Sequence, residues 1–566
     1  MSELPWIPSY PAGLSHDHEI VRTTVWQILE DAVARWPDHP ALDFMGKKRT
    51  YRELSAMVRR AANGFRALGV KPGVNVGLYL PNTPHYVVAF FGILQAGGTV
   101  VNYSPLDTEK VLAHKIEDSE TDIMVTLDVK SLYPQMVQLL QSTRLRKLVV
   151  GALSEMAEAP NAVREKLEAA GHLAEIAWDD RHMTFEALLA NDGHGEPTPL
   201  ADAELSERVA VIQYTGGTSG QPKGAMLTHA NLSVACNQYW TTARAEPRIL
   251  QEGQERFLAV LPLFHIYALT VDMLFGIRMG AEIVLHARFE VEAAVRDIAA
   301  KKITVFPGVP TMFAAILHHP GIEHHDLSSL KFCGSGGAPL PREVQQRFRG
   351  LTGCLLCEGW GMTETSPTGT FTPMDREPRL GSCGLPMPGI SFEFANVENP
   401  NETVPLGQRG EICVKGPNVM LGYWKNPAAT ATSRTKNGFF RTGDVGYMDR
   451  DGFVYIVDRT KDMLLCGGFN VYPRTIEDAI YEHPAVAEVT VIGVHDDRRG
   501  QVPKAFIKLK PGAKEPTLEE LQAFLEGRVG KHEMVKAMAI RAELPKTLVG
   551  KLSKKELYEE EAKARL

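Results

Sequence analysis

Apolar positions in the first 150 residues follow two alternating patterns. Val25, Ile28, Leu29, Ala32, Val33 and Trp36 recur at helical spacing, and Thr24 with Gln27 ahead of them reads as a capping box. Thr50 with Glu53 repeats that signature before Tyr51, Leu54, Met57, Val58, Ala61, Phe65 and Leu68, and Gly69 is placed to end the helix. Short, continuous apolar runs lie between and beyond these helices, at 74–80, 100–102, 123–127 and 148–150. Such interleaving predicts helices packed on a largely parallel sheet.

The pattern then changes several times. Residues 151–200 are polar, with Gly and Pro near their end, and read as a peripheral excursion. A strand at 208–214 runs into a glycine-rich loop, and helix–strand alternation resumes to about residue 375. From 380 to 457 short strands and turns dominate, at 410–415 and 452–457 among others, which predicts a smaller β-rich subdomain. The last hundred residues carry their own mixture of helices and strands, over 486–494, 504–509, 518–529 and 537–542. The tail 559–566 reads as a solvated, charged helix end. The fold class is α/β, with a large N-terminal domain and a small α+β C-terminal domain.

Composition narrows the function classes. A chain of 566 residues with 44% hydrophobic and 23% charged positions is an ordinary globular protein of more than one domain. A net charge of −7 argues against a dedicated nucleic-acid binder, which needs a clustered positive surface. The 7 cysteines are scattered and odd in number, unlike a secreted disulfide framework. Residues 1–13 lack a basic start followed by an apolar run, so no signal peptide is expected. The longest apolar stretch, 86–96, falls short of the roughly 18–20 residues a membrane span needs and reads as a buried helix. A cytoplasmic location is expected; peripheral contact with the inner membrane face and a homodimer are left open.

The strongest chemical signal is Tyr214-Thr-Gly-Gly-Thr-Ser-Gly-Gln-Pro-Lys-Gly224. Here Thr215, Thr218 and Ser219 supply hydroxyls, Gly216, Gly217 and Gly220 free the backbone N–H groups, and Lys223 adds a cation. Together they suit a polyphosphate. The spacing is not that of a Walker loop.

Further motifs follow in order: Leu261-Pro-Leu-Phe-His-Ile-Tyr267, Gly336-Gly-Ala-Pro339, Gly359-Trp-Gly-Met-Thr-Glu-Thr365, Gly410-Glu-Ile through Gly422-Tyr, and Arg441-Thr-Gly-Asp444. Asp458-Arg-Thr-Lys-Asp462 then leads to Gly467-Gly-Phe-Asn-Val-Tyr-Pro473 and Pro545-Lys-Thr-Leu-Val-Gly-Lys551. With these the chain resembles, from about residue 20 to 560, the adenylate-forming superfamily of acyl-CoA synthetases, adenylation domains and firefly luciferase. Bacterial medium- or long-chain fatty acid ligases are the members it most resembles.

The resemblance implies ATP, Mg²⁺ and coenzyme A, and a two-step reaction. A small-molecule carboxylic acid attacks ATP to give an acyl-adenylate, and a thiol then displaces AMP. It implies that Lys551 reaches the forming bond and that Glu364 and Thr218 serve Mg²⁺ and the phosphates. Asp444 would hold the ribose, with Arg459 beside it. Gly337, Ala338, Pro339, Trp360, Gly361, Met362 and Thr363 would border the adenine and phosphates, and His265 the acyl pocket. The implied domains are 1–457, with its β-rich part at about 380–457, a hinge at 458–462 pivoting on Lys461, and a lid at 463–566. In the second half-reaction Gly467, Gly468 and Phe469 would wall the pantetheine channel.

Each residue also has a plain reading. Glu364 alone caps a helix, Asp444 alone makes a turn, and His265 in an apolar segment is a satisfied core histidine. Cys354 and Cys357 have metal or redox spacing without a second pair, and the leucines between them suit a buried strand. His318–His319 and His324–His325 lack the further ligands of a zinc site. A serine hydrolase elbow is missing from the sequence. The acid itself is left open among fatty, dicarboxylic and aryl acids. An acyl-AMP ligase loading a separate carrier protein and a non-enzymatic binder on the same scaffold remain as alternatives.

Overall fold

A computed structural model of the protein describes residues 4–18, 20–215, 221–466, 469–496, 498–546 and 552–563. The apolar runs of the first half enter an eight-stranded sheet. Its order is Gly422–Tyr423, Lys223–Thr228, Val209–Thr215, Thr99–Asn102, Asn75–Leu78, Ile123–Leu127, Lys147–Gly151 and His182–Thr184. The pairs from Val209–Thr215 to His182–Thr184 are parallel, and the first two pairs are antiparallel. A seven-stranded sheet runs Leu356–Glu358, Phe332–Ser335, Val305–Gly308, Arg256–Ala259, Glu282–Leu285, Pro40–Phe44 and Lys47–Thr50. Only its last pair is antiparallel.

Buried helices join the two sheets. Helix Pro84–Gln95 is buried at every position. Just before it, Asn82 donates to the carbonyls of Ala259 and Leu261 at 3.0 and 2.8 Å. Tyr86 donates to Asn102 Oδ1 and to the Leu263 carbonyl at 2.9 and 2.8 Å. Buried polar side chains thus tie the first sheet to the segment carrying His265, each with its partner satisfied.

A four-stranded antiparallel sheet follows, in the order Ser391–Ala395, Gly410–Lys415, Phe440–Met448 and Val454–Arg459. The small C-terminal domain has five strands, Phe469–Val471, Leu464–Cys466, Gly500–Leu509, Val486–Asp496 and Ala537–Ile540. Its own core gathers Leu464, Val471, Ile476, Val489, Ile507, Leu521 and Val535. Among the described residues no helix is long and apolar enough to cross a membrane.

Several expectations change. Thr50 and Glu53 form the capping box, and Gly69 follows the helix at φ +90°. Thr24 does not cap: its Oγ1 has no partner, and Gln27 turns to Asp31 at 2.8 Å. Helix Val25–Arg35 docks on helix His229–Arg244, and the Val25 N–H donates to His229 Nδ1 at 3.1 Å instead. Tertiary packing has taken over the cap.

The 151–200 excursion is not wholly peripheral. Its strand His182–Thr184 edges the larger sheet, and Phe185 and Leu188 of helix Phe185–Leu189 are buried. Of the segment 518–529, residues Leu518–Leu525 form a helix. The described part of the charged tail, 559–563, ends helix Lys555–Lys563; Glu559 and Glu560 are exposed as expected, and Glu561 meets Lys504 at 2.6 Å and Glu560 meets Arg541 at 2.5 Å. Strand Val454–Arg459 includes Asp458 and Arg459, so the chain leaves it in the turn at 460–462.

Candidate active site

The cleft of 2140 Å³ between the large domain and the C-terminal domain takes in most of the sequence-derived residues. Thr215, His265, Gly337, Ala338, Pro339, Trp360, Gly361, Met362, Thr363, Glu364, Asp444, Arg459 and Lys461 all line it. Lys223 and Phe469 do not. Gly216, Gly217, Thr218, Ser219, Gly220, Gly467, Gly468 and Lys551 lie outside the described residues.

Asp444 is not in a turn but within strand Phe440–Met448, directly opposite Arg459 of the neighbouring strand. Arg459 Nε stands 3.2 Å from Asp444 Oδ1. Trp360 Nε1 donates to Asp444 Oδ2 at 2.8 Å, and the Asp444 N–H donates to Thr442 Oγ1 at 3.0 Å. The carboxylate is buried and held on both oxygens. Each oxygen keeps a further lone-pair direction for a hydroxyl donor. Trp360, expected to border adenine, also orients this acid.

Glu364 sits in a short 3-10 turn, Thr363–Thr365, rather than at a helix cap. Asn418 pins the turn by donating to the carbonyls of Thr365 and Thr368 at 2.7 Å each. Next to it a Cβ on Gly361 would fall onto the Pro367 carbonyl oxygen, so only glycine fits there. Tyr423 donates its hydroxyl to Glu364 Oε1 at 2.9 Å. Burial raises the Glu364 pKa, the Tyr423 bond and Arg459 oppose the rise, and Asp444 adds to it. Lys223 Nζ lies 5.1 Å from the Tyr423 ring centre.

The strands on either side of the glycine-rich segment pair antiparallel, Val209–Thr215 against Lys223–Thr228, and Thr215 faces Lys223. The strand Gly422–Tyr423 pairs with the second of these. Glu364, Tyr423 and Lys223 are therefore neighbours. A Mg²⁺ ion fits this setting. No three His, Cys, Asp or Glu side chains gather as a metal cage among the described residues. Mg²⁺ commonly takes one or two carboxylates, with waters and substrate phosphates completing its shell. A buried carboxylate made costly by desolvation gains from such a cation.

His265 starts a helical segment, and its Nδ1 accepts the Tyr267 N–H at 3.2 Å. Desolvation and then Arg459 hold the Lys461 ammonium below the usual lysine range, against the opposing pull of Asp462, Asp444 and Glu364. Phe469 is exposed, its ring 5.1 Å from that of His532. His319 pairs with Glu292 at 2.6 Å. Cys354 and Cys357 are buried free thiols at strand Leu356–Glu358, as the leucines suggested.

Sequence reading missed Tyr423, although Gly422-Tyr stood among the motifs, because its partner lies 59 residues away. It also missed Glu246 and Glu358, two acids of the cleft whose pKa values burial pushes up to about 7. The helical spacing of Tyr239, Thr242, Ala243 and Glu246 was a signal for the first.

Fold and cleft together define a two-domain α/β nucleotide-dependent enzyme class. The chain belongs to the AMP-binding enzyme family: that family's model matches residues 29–424, and the AMP-binding enzyme C-terminal domain matches 475–551. It is 38% identical to a long-chain-fatty-acid–CoA ligase of Bacillus subtilis (strain 168), over 99% of this chain and 98% of that one. It is 34% identical to a feruloyl-CoA synthase of Amycolatopsis sp, over 92% and 96%. The ATP-bound crystal structure of MatB from Rhodopseudomonas palustris superposes with a TM-score of 0.82 at 27% identity, covering 95% of this chain and 99% of that one.

Proposed function

We propose that this protein is an ATP-dependent, AMP-forming acyl-CoA ligase acting on fatty acids of medium or long chain. The observation that carries the reading is a single cleft with a ribose-type carboxylate, Asp444, and a buried phosphate-side acid, Glu364, at one end. Its other side is apolar, with Leu250, Ile266, Val271, Phe275, Val309 and Pro310. Each CH₂ buried there contributes about 0.8 kcal/mol. The long-chain ligase among its relatives supports the same acid class.

In the first half-reaction the substrate carboxylate forms a bond to the α-phosphorus, and the bond to diphosphate breaks. Asp444, oriented by Trp360 and Arg459, holds the ribose in line. Glu364 and the Thr218 hydroxyl would hold Mg²⁺, which would neutralise phosphate charge. Lys551 stabilises the charge gathering on the transferring phosphate. In the second, the CoA thiolate attacks the acyl carbonyl and AMP departs with the electron pair. The domain from residue 463 onward turns on the 458–462 hinge between steps, withdrawing Lys551 and bringing Gly467, Gly468 and Phe469 to the channel. A cytoplasmic location supplies ATP and CoA and suits the seven free, buried cysteines, which supports that reading.

The test is AMP release by the purified enzyme with ATP, Mg²⁺ and CoA across alkanoates from acetate to palmitate, dicarboxylates and benzoates. Thioester should form with AMP in equal amount, fastest with a medium or long alkanoate. AMP without CoA thioester would instead favour transfer to a carrier protein, and a maximum on an aryl or dicarboxylic acid would move the substrate class.

A further inference from the structure

The apolar side of the cleft is not apolar throughout. Tyr239, Thr242, Ala243, Glu246 and Leu250 line it along and just beyond helix His229–Arg244. The same cavity is lined by Tyr267, Val271 and Phe275, the rings of Tyr239 and Phe275 standing 6.0 Å apart, and by Cys357 and Met374. Glu246 is only 7% exposed. One oxygen, Oε1, accepts the Met374 N–H at 2.9 Å. The other, Oε2, is shut off from solvent and has no hydrogen-bond partner.

A buried acceptor left unmatched costs free energy that a hydrophobic residue of similar size would not. A wall residue chosen for packing alone has no reason to be an acid. The terminal χ3 torsion is broad, so a modest rotation would open a carboxyl oxygen to the cavity while the chain stays in place.

We propose that Glu246 is a specificity-determining residue that pairs with a hydroxyl on the far end of the acyl substrate. The preferred acids then include hydroxylated ones, seated with their hydroxyl on this carboxyl. The inference rests on the ligase reading above and deepens it. A hydroxyl suits this position better than an ammonium. Burial pushes the Glu246 carboxyl up to about 7, with Asp375 adding to the rise and the Met374 N–H and Arg376 opposing it, so both protonation states are populated at neutral pH. A hydroxyl donates to the carboxylate and accepts from the acid, whereas an ammonium needs the charged form.

The test compares ω-hydroxyalkanoic acids with their plain partners, from six to sixteen carbons, as kcat/KM for AMP release. An unpaired hydroxyl forced into an apolar tunnel costs at least about tenfold. In the unaltered enzyme the hydroxy-to-plain ratio should approach or exceed one at a particular length. In Glu246→Met that ratio should fall at least tenfold at the same length, while Glu246→Gln, which keeps an acceptor, should hold it within about threefold. The proposal is overturned if every hydroxy acid is at least tenfold poorer than its partner in the unaltered enzyme. It is also overturned if Glu246→Met lowers both acids equally, the mark of a residue that only anchors the Met374 loop. An enzyme that releases no AMP with any acid refutes the ligase reading instead.

Discussion

The Trp360 indole donates to Asp444 across 84 residues of chain, at 2.8 Å. Arg459 meets the other oxygen of the same carboxylate at 3.2 Å. The acid is thereby fixed in orientation before any nucleotide arrives, which spares binding the entropy of ordering it.

Trp360→Phe keeps an aromatic wall but removes that donor. A hydrogen bond to a charged acceptor contributes about 1.5 kcal/mol, or roughly tenfold. The KM for ATP in ATP–diphosphate exchange should rise by about that factor, with the KM for the acid nearly constant. An unchanged KM for ATP would mean that Asp444 does not need the indole.

Tyr423→Phe tests the other acid. The phenol donates to Glu364 and so opposes the rise in pKa caused by burial. Removing it raises the Glu364 pKa further. If the carboxylate is the active form, the acidic limb of diphosphate exchange moves to higher pH, and the rate at pH 6 falls more than the rate at pH 8. A uniform loss across pH would assign Tyr423 to packing alone.

On the proposed division of labour, in which Lys551 serves only the first step, Lys551→Ala should lose acyl-adenylate formation yet still make thioester from supplied acyl-adenylate. Equal loss of both half-reactions would contradict two working positions of the C-terminal domain. Lys461→Pro should slow thioester formation more than diphosphate exchange, since it stiffens the turn after strand Val454–Arg459. Wild-type rates for both steps would place the hinge elsewhere.

Much of this was legible in the chain. Continuous apolar runs announced the parallel strands, and the order of the short motifs announced the family, because each depends on residues close in sequence. What escaped depends on partners far away. Thr24 looked like a cap until His229, 204 residues on, took the Val25 N–H. Asp444 looked like a turn residue until its strand was paired with that of Arg459. For Glu246 the sequence offers only its helical spacing from Tyr239, Thr242 and Ala243; the cavity beside it gives an orphan oxygen meaning.

Asp272 offers a test of stability. It is fully buried in the π-helical segment Leu269–Phe275, and neither carboxyl oxygen has a partner. Desolvation raises its pKa well above the usual carboxylate value. The folded chain therefore keeps a proton that the unfolded chain releases once pH passes about 4. Stability from this site falls as pH rises toward the folded pKa, and each unit of that gap contributes about 1.4 kcal/mol. Asp272→Asn keeps the shape and cannot titrate. Urea midpoints measured at pH 5 and pH 8 should separate the two proteins, the original losing more stability over that span than the variant. Equal losses would mean that Asp272 finds a proton donor when ionised, and that its burial is matched after all.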